Sequence, residues 1–160
     1  MERNLTHIAL FAALIAALGF LPKIDLISGV PITAQSLGVM LCGTVLGARR
    51  GALAVLLFLA VTLALPLLAG GRTTLAALAS PTVGYIIGFP LAAFVAGLVV
   101  ERLRIAIFPA AFIGALIGGI GVMHVCGIIG MAYRLDKSLA EAALLALPFL
   151  AGDLLKAGLA

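Results

Sequence analysis

The chain has 160 residues, 64% of them hydrophobic and only 10% charged, with a net charge of +4. A soluble domain is nearer half apolar and a quarter charged, so this composition excludes one and describes a single integral membrane domain over residues 1–160. The ten lysines and arginines are scattered through short turns, which reads as orientation of membrane spans and not as a nucleic-acid surface.

Leu5 to Phe20 is apolar apart from Thr6 and His7 and predicts a first spanning helix. A secretory leader also begins with an apolar run, but the rest of this chain is equally apolar and no small-x-small cleavage site follows. Ala9, Ala13 and Ala17 recur at every fourth position, with Ala12 and Ala16 beside them. A ridge of small residues lets helices approach closely, either within one chain or between this chain and a partner subunit. Leu21 to Thr33 breaks the pattern with Pro22, Gly29, Pro31, Lys23 and Asp25. It predicts a loop dipping back into the protein, which at membrane depth must be buried or line a cavity. Gln35 then opens a second helix to Leu46, short enough to be extended by the preceding loop. Its amide either caps that helix or contacts a ligand.

Gly47 to Gly51, containing Arg49 and Arg50, predicts a tight turn on the cytoplasmic side, and Gly51 to Leu68 a third span. Ala69 to Thr82 is a second irregular stretch, where Gly70-Gly71 lets the backbone turn tightly or move. Arg72, its only charge, is an interfacial anchor with a snorkelling side chain or a functional cation. Val83 to about Val100 predicts a fourth helix. Tyr85, in its first turn, is an interface-belt aromatic or a pocket wall with a hydroxyl handle. After the charged turn Glu101 to Arg104, Ile105 to Tyr133 is the longest apolar run. His124 lies within it, and a lone His in such a helix more often bonds a neighbour than a ligand.

Ser138-Leu-Ala-Glu141 has the spacing of a capping box and predicts a short helix lying at the interface. Pro148 opens a last segment of thirteen residues. At 1.5 Å each that is about 20 Å, against a hydrocarbon core of about 30 Å. It predicts either an incomplete crossing or a chain that continues past Ala160. This segment carries Asp153 and Lys156, three apart and so on one helix face. Ionisable groups inside a membrane are expensive and default to a functional hypothesis; the alternative is a structural ion pair tying helices together.

The expected fold is all-α and polytopic, with about six transmembrane helices and two re-entrant or capping loops on the extracellular face. Arg3, Arg49, Arg50, Arg102 and Arg104 fall on one side, and Lys23, Arg72, Arg134 and Lys137 on the other. That asymmetry favours a cytoplasmic N-terminus. Cys42 and Cys126 lack metal-ligand spacing and read as small core residues. The chain has no GxxxxGK[ST], HExxH or GxSxG motif, so nothing supports an enzyme, a metal or a cofactor. Two Gly/Pro loops on one face, near a helix bearing an Asp/Lys pair, suit a gated site for a small solute.

Four stretches in order carry a wider resemblance: Val30-Pro-Ile-Thr-Ala-Gln35, Ala69-Gly-Gly71, Ser80-Pro-Thr-Val-Gly-Tyr85, and Pro148-Phe-Leu-Ala-Gly-Asp-Leu-Leu-Lys156. Together they resemble the BioY family, the biotin-specific substrate-binding (S) components of energy-coupling-factor transporters. The resemblance implies biotin capture from outside a cell's inner membrane, with uptake powered by a transmembrane coupling subunit and two ATPase subunits. It implies a biotin site at Asp153 and Lys156, with Gln35 and Tyr85 at matching motif positions and Arg72 as a second cation for the valerate group. The carboxylate would accept from the ureido N–H groups, while Lys156 would serve either the ureido carbonyl or the valerate. Ala9, Ala13 and Ala17 resemble the alanine motif that docks on the coupling subunit. The chain departs from the family in having Thr73, Thr74 and Val83 where further glycines are common, which predicts a stiffer second loop. The competing readings are a transporter of another small vitamin, autonomous uptake by a homo-oligomer, and a packing subunit of a membrane complex.

Overall fold

The computed structural model describes residues 2–160, and among these the fold is helical, with two isolated antiparallel bridges in place of strands. Six long helices and one short one follow in order: α1 Glu2–Leu18, α2 Gln35–Leu46, α3 Ala48–Ala64, the short α4 Thr74–Leu78, α5 Val83–Arg102, α6 Ile107–Leu135 and α7 Leu139–Leu159. Helices α5, α6 and α7 are each long and apolar enough to cross a membrane. Large side chains such as Leu53, Ile87, Leu91, Ile129 and Leu155 stay exposed. In a bilayer such residues face lipid, where apolar exposure carries no penalty.

Helix α5 is the centre of the bundle, touching α2, α3, α4 and α6, while α7 packs on α6 and α2 and α1 on α2 and α3. Small residues make these approaches possible. A Cβ on Gly84 of α5 would lie 2.8 Å from the Cys126 carbonyl carbon and 2.9 Å from the Gly130 Cα of α6. At that distance backbone meets backbone, the packing that small residues allow between membrane helices.

Three local expectations change. Arg49 and Arg50 lie in the first turn of α3, and the tight turn is Gly47 alone, at φ +81°. Glu101 secures this junction by accepting from the Ala48 N–H at 2.9 Å. The loop before α2 does not extend that helix; it folds on itself through an antiparallel bridge between Ile24 and Ile32. The interfacial helix and the last segment are one helix of 21 residues, α7, with Pro148 in its interior. That helix reaches about 30 Å, enough to cross. Proline is tolerated inside membrane helices because neighbours and local adjustments re-satisfy the freed backbone. The Ser138–Glu141 capping box forms as expected, with Ser138 N donating to Glu141 Oε2 at 2.9 Å and Glu141 N to Ser138 Oγ at 3.3 Å.

The second irregular stretch contains α4 and a turn closed by the Leu68–Arg72 bridge, in which Gly70 and Gly71 both take positive φ. Thr73 caps α4, and Thr74 Oγ1 lies 2.6 Å from the buried Thr62 hydroxyl of α3. Thr74, which also donates to the Leu59 carbonyl at 3.1 Å, fastens the loop to α3, while Thr73 acts within the loop.

Replacing Gly84 with alanine should cost about 1–3 kcal/mol through overpacking. Thermal unfolding in detergent should show a lowered midpoint, with Gly158→Ala, whose Cβ meets nothing within 4 Å, unchanged beside it.

Candidate functional site

The two loops and helices α2, α5, α6 and α7 together border one small cavity. Tyr85, Ile86 and Phe89 of α5, Met123 of α6 and Phe149 of α7 make its apolar wall. Val30 and Pro31 of the first loop and Leu68 and Ala69 of the second lie across it. Ser36, Asp153, Lys156 and Arg72 supply its polar groups.

Asp153 is 4% exposed, and its Oδ1 accepts from Ser36 Oγ at 3.0 Å and Lys156 Nζ at 2.8 Å. Lys156 donates also to the Thr33 carbonyl at 2.8 Å and to Ser36 Oγ at 2.9 Å. An ammonium has three N–H groups, so all three are committed within the protein. The pair is at once a structural tie, joining α7 to the first loop and α2, and a wall of the cavity. Its uncommitted acceptor is Asp153 Oδ2, which faces His124 Nε2 at 3.6 Å, beyond ordinary hydrogen-bond length.

Gln35 borders the cavity but is bonded to the backbone. It is 2% exposed, and no side chain caps α2. Its Nε2 donates to the carbonyls of Ile15 at 3.1 Å and Leu67 at 3.0 Å, and its Oε1 accepts from Ala69 N at 2.9 Å. The amide is spent on backbone. It joins the end of α1 to the second loop, and although it borders the cavity it has no N–H left for a ligand.

Tyr85 is a pocket wall and not a belt residue: it is buried, its ring tilted against Phe149 and edge-on to His124. A Cβ on Gly127 would collide with the Tyr85 ring, so the bare backbone of α6 makes room for it. The Tyr85 hydroxyl has no hydrogen-bond partner among the described residues. Arg72 is half-buried at the cavity and donates to Thr82 Oγ1 at 3.3 Å. No carboxylate pairs with it among the described residues.

Thus Asp153, Lys156, Tyr85, Gln35 and Arg72 all border one cavity. Ser36, Thr33 and Phe149 were not singled out in the sequence, and His124 was read as a residue bonded to a neighbour. Ser36 sits 117 residues from the carboxylate it binds, so no local signal marks it. Outside the cavity lining, Ala9, Ala13 and Ala17 are exposed on α1, while Ala12 faces the core.

Residues 2–160 match the model of the BioY family. The chain is 54% identical to the biotin transporter BioY of Rhodobacter capsulatus, over 98% of this chain and 88% of that protein. It is 47% identical to the biotin transporter BioY of Rhizobium etli, covering 97% and 87% respectively. Among solved structures, the S-component for biotin from an ECF-type ABC transporter superposes with a TM-score of 0.92 at 32% identity, covering 99% of this chain and 86% of that one.

Exchanging Gln35 for leucine strands two buried carbonyls and an N–H, at about 1–3 kcal/mol for each group left unsatisfied. The thermal midpoint without ligand should fall by several degrees, and limited proteolysis should open the second loop first.

Proposed function

The chain belongs to the BioY family, and from this premise we propose that it captures biotin as the substrate-binding subunit of an energy-coupling-factor transporter. It is a membrane transport protein and not an enzyme. The observation that carries the ligand assignment is the division of labour within one carboxylate bordering the cavity: Asp153 Oδ1 is held by Ser36 and Lys156, while Oδ2 has no hydrogen bond of ordinary length among the described residues. Biotin brings the complementary parts, a ureido ring with N–H donors, an apolar bicyclic body and a carboxylate tail.

In this reading one ureido N–H donates to Asp153 Oδ2, and the unpartnered Tyr85 hydroxyl donates to the ureido carbonyl. Phe89, Met123 and Phe149 pack the bicyclic body. Arg72, a cation without a carboxylate partner, receives the valerate, a pairing suited to guanidinium. Lys156 takes neither end of the ligand. Its three N–H groups hold Asp153 and the first loop, and its charge compensates the buried carboxylate. Gln35 is a positioning residue for the second loop.

The reading extends to partners. The outward ridge of Ala9, Ala13 and Ala17 is the docking stripe for a coupling subunit, and two ATPase subunits supply the energy for which this chain has no P-loop. The arginine-bearing end, with Arg50 bonded to Asn4 at 3.2 Å, faces the cytoplasm of the inner membrane, and the two loops face outward. The saturation of Lys156 also favours a second reading, in which Asp153–Lys156 only ties helices in a packing subunit.

Biotin titration of the detergent-solubilised chain separates the two. Saturable binding is expected, weakened at least about 30-fold in Asp153→Asn, as loss of a buried charged hydrogen bond predicts. Failure of a folded wild type to bind biotin would leave the packing reading. Biotin methyl ester should bind about tenfold more weakly than biotin to the wild type and equally to Arg72→Gln. Equal binding of acid and ester by the wild type removes Arg72 from the site.

For docking, Ala13→Leu should leave biotin binding by the isolated chain intact. Biotin uptake by cells carrying the full set of subunits should drop severalfold. Unchanged uptake would retire the ridge.

A further inference from the structure

Three buried side-chain polar atoms have no hydrogen-bond partner among the described residues: Tyr85 Oη, His124 Nδ1 and His124 Nε2. All three belong to one aromatic cluster beside Asp153, with Tyr85 and His124 ring centres 5.8 Å apart and His124 and Phe149 6.1 Å apart. Unsatisfied buried polar groups are costly and rare, so their gathering at one place calls for a reason. The Tyr85 hydroxyl finds one in the ligand. His124 does not border the cavity; it stands behind Asp153, only 6% exposed, with Nε2 3.6 Å from Asp153 Oδ2.

The backbone explains how it gets there. Ala115–Val122, immediately before Met123 and His124, is π-helical. Each wider turn shifts the register of everything after it, and such segments occur mostly at functional sites. Downstream of it, Met123 and His124 are both buried against the site.

We propose that His124 is a positioning residue of the biotin site: its Nε2–H donates to Asp153 Oδ2 and aims that oxygen's remaining lone pair at a ureido N–H. The inference rests on the reading that Asp153 receives biotin. Lone-pair arithmetic supports it. Oδ1 is filled by Ser36 and Lys156, and Oδ2 has two acceptor positions, one for His124 and one for the ligand. The groups facing the imidazole are the Ile120 backbone of its own helix, Asp153, Lys156 and Phe149 on α7 and Tyr85 on α5. A movement of well under 1 Å brings the contact to ordinary length, and site hydrogen bonds commonly tighten when the ligand arrives. A fixed acceptor also discriminates for ligands that carry the matching N–H, since one without it leaves a buried charge unpaired.

The test is biotin titration of the full chain in detergent for wild type, His124→Phe and His124→Gln, with the thermal midpoint of each measured without biotin. Phenylalanine keeps the aromatic packing and removes the donor. Glutamine keeps an N–H near the Nε2 position. The expected pattern is His124→Phe at least about tenfold weaker, the loss of one hydrogen bond to a charged group, with a ligand-free midpoint no lower than wild type. His124→Gln should recover most of the affinity. Wild-type affinity in His124→Phe, or equal losses in both variants, overturns the proposal and returns His124 to packing alone. Absence of biotin binding by the wild type overturns the underlying reading instead.

Discussion

A buried negative charge has to be compensated, and the contacts around Asp153 follow from that requirement. Its carboxylate is 4% exposed inside a largely apolar protein, where an uncompensated ion costs several kcal/mol. Lys156 on the same helix face supplies the countercharge, and the remaining donors of that ammonium reach the Thr33 carbonyl and Ser36. Neutralising one group therefore ties the last helix to the first loop and to the start of α2. The charge demands partners, and the partners come from distant parts of the chain.

Irregular backbone imposes a second demand of the same kind. In the two irregular stretches, apart from α4 in the second, peptide groups that are buried need partners outside a regular helix. The bridges Ile24–Ile32 and Leu68–Arg72 satisfy some of them. Gln35 satisfies others, by donating to two carbonyls and accepting from Ala69 N. The Thr62–Thr74 contact holds α4 down. Both loops are thus built as fastened covers, and the cavity beneath them owes its shape to these polar braces as much as to the apolar wall.

Binding, and not chemistry, is what this arrangement serves. The titratable groups at the cavity are engaged with one another or wait as hydrogen-bond partners. Membership of the BioY family supplies the ligand class, and the cavity presents a buried carboxylate, an aromatic wall and a guanidinium with no carboxylate partner among the described residues. The alanine stripe on α1 lies on the surface, outside the lining of the cavity.

The amino-acid sequence by itself determined the membrane class, the helical content, the positions of most spans, the capping box at Ser138 and the shared helix face of Asp153 and Lys156. These are consequences of composition and of spacings of three or four residues, which act locally whatever the rest of the chain does. The motif order also marked the family. Tertiary structure alone decided that Pro148 lies inside a continuous helix, that Gln35 is a brace, that Lys156 has no free N–H, and that His124 stands behind Asp153. Each of these depends on polar or packing partners in other elements: Gln35 reaches 32 residues to Leu67, and Ser36 reaches 117 to Asp153. A hydrogen bond between residues that far apart leaves no periodicity in the sequence, because it exists only once the helices have packed.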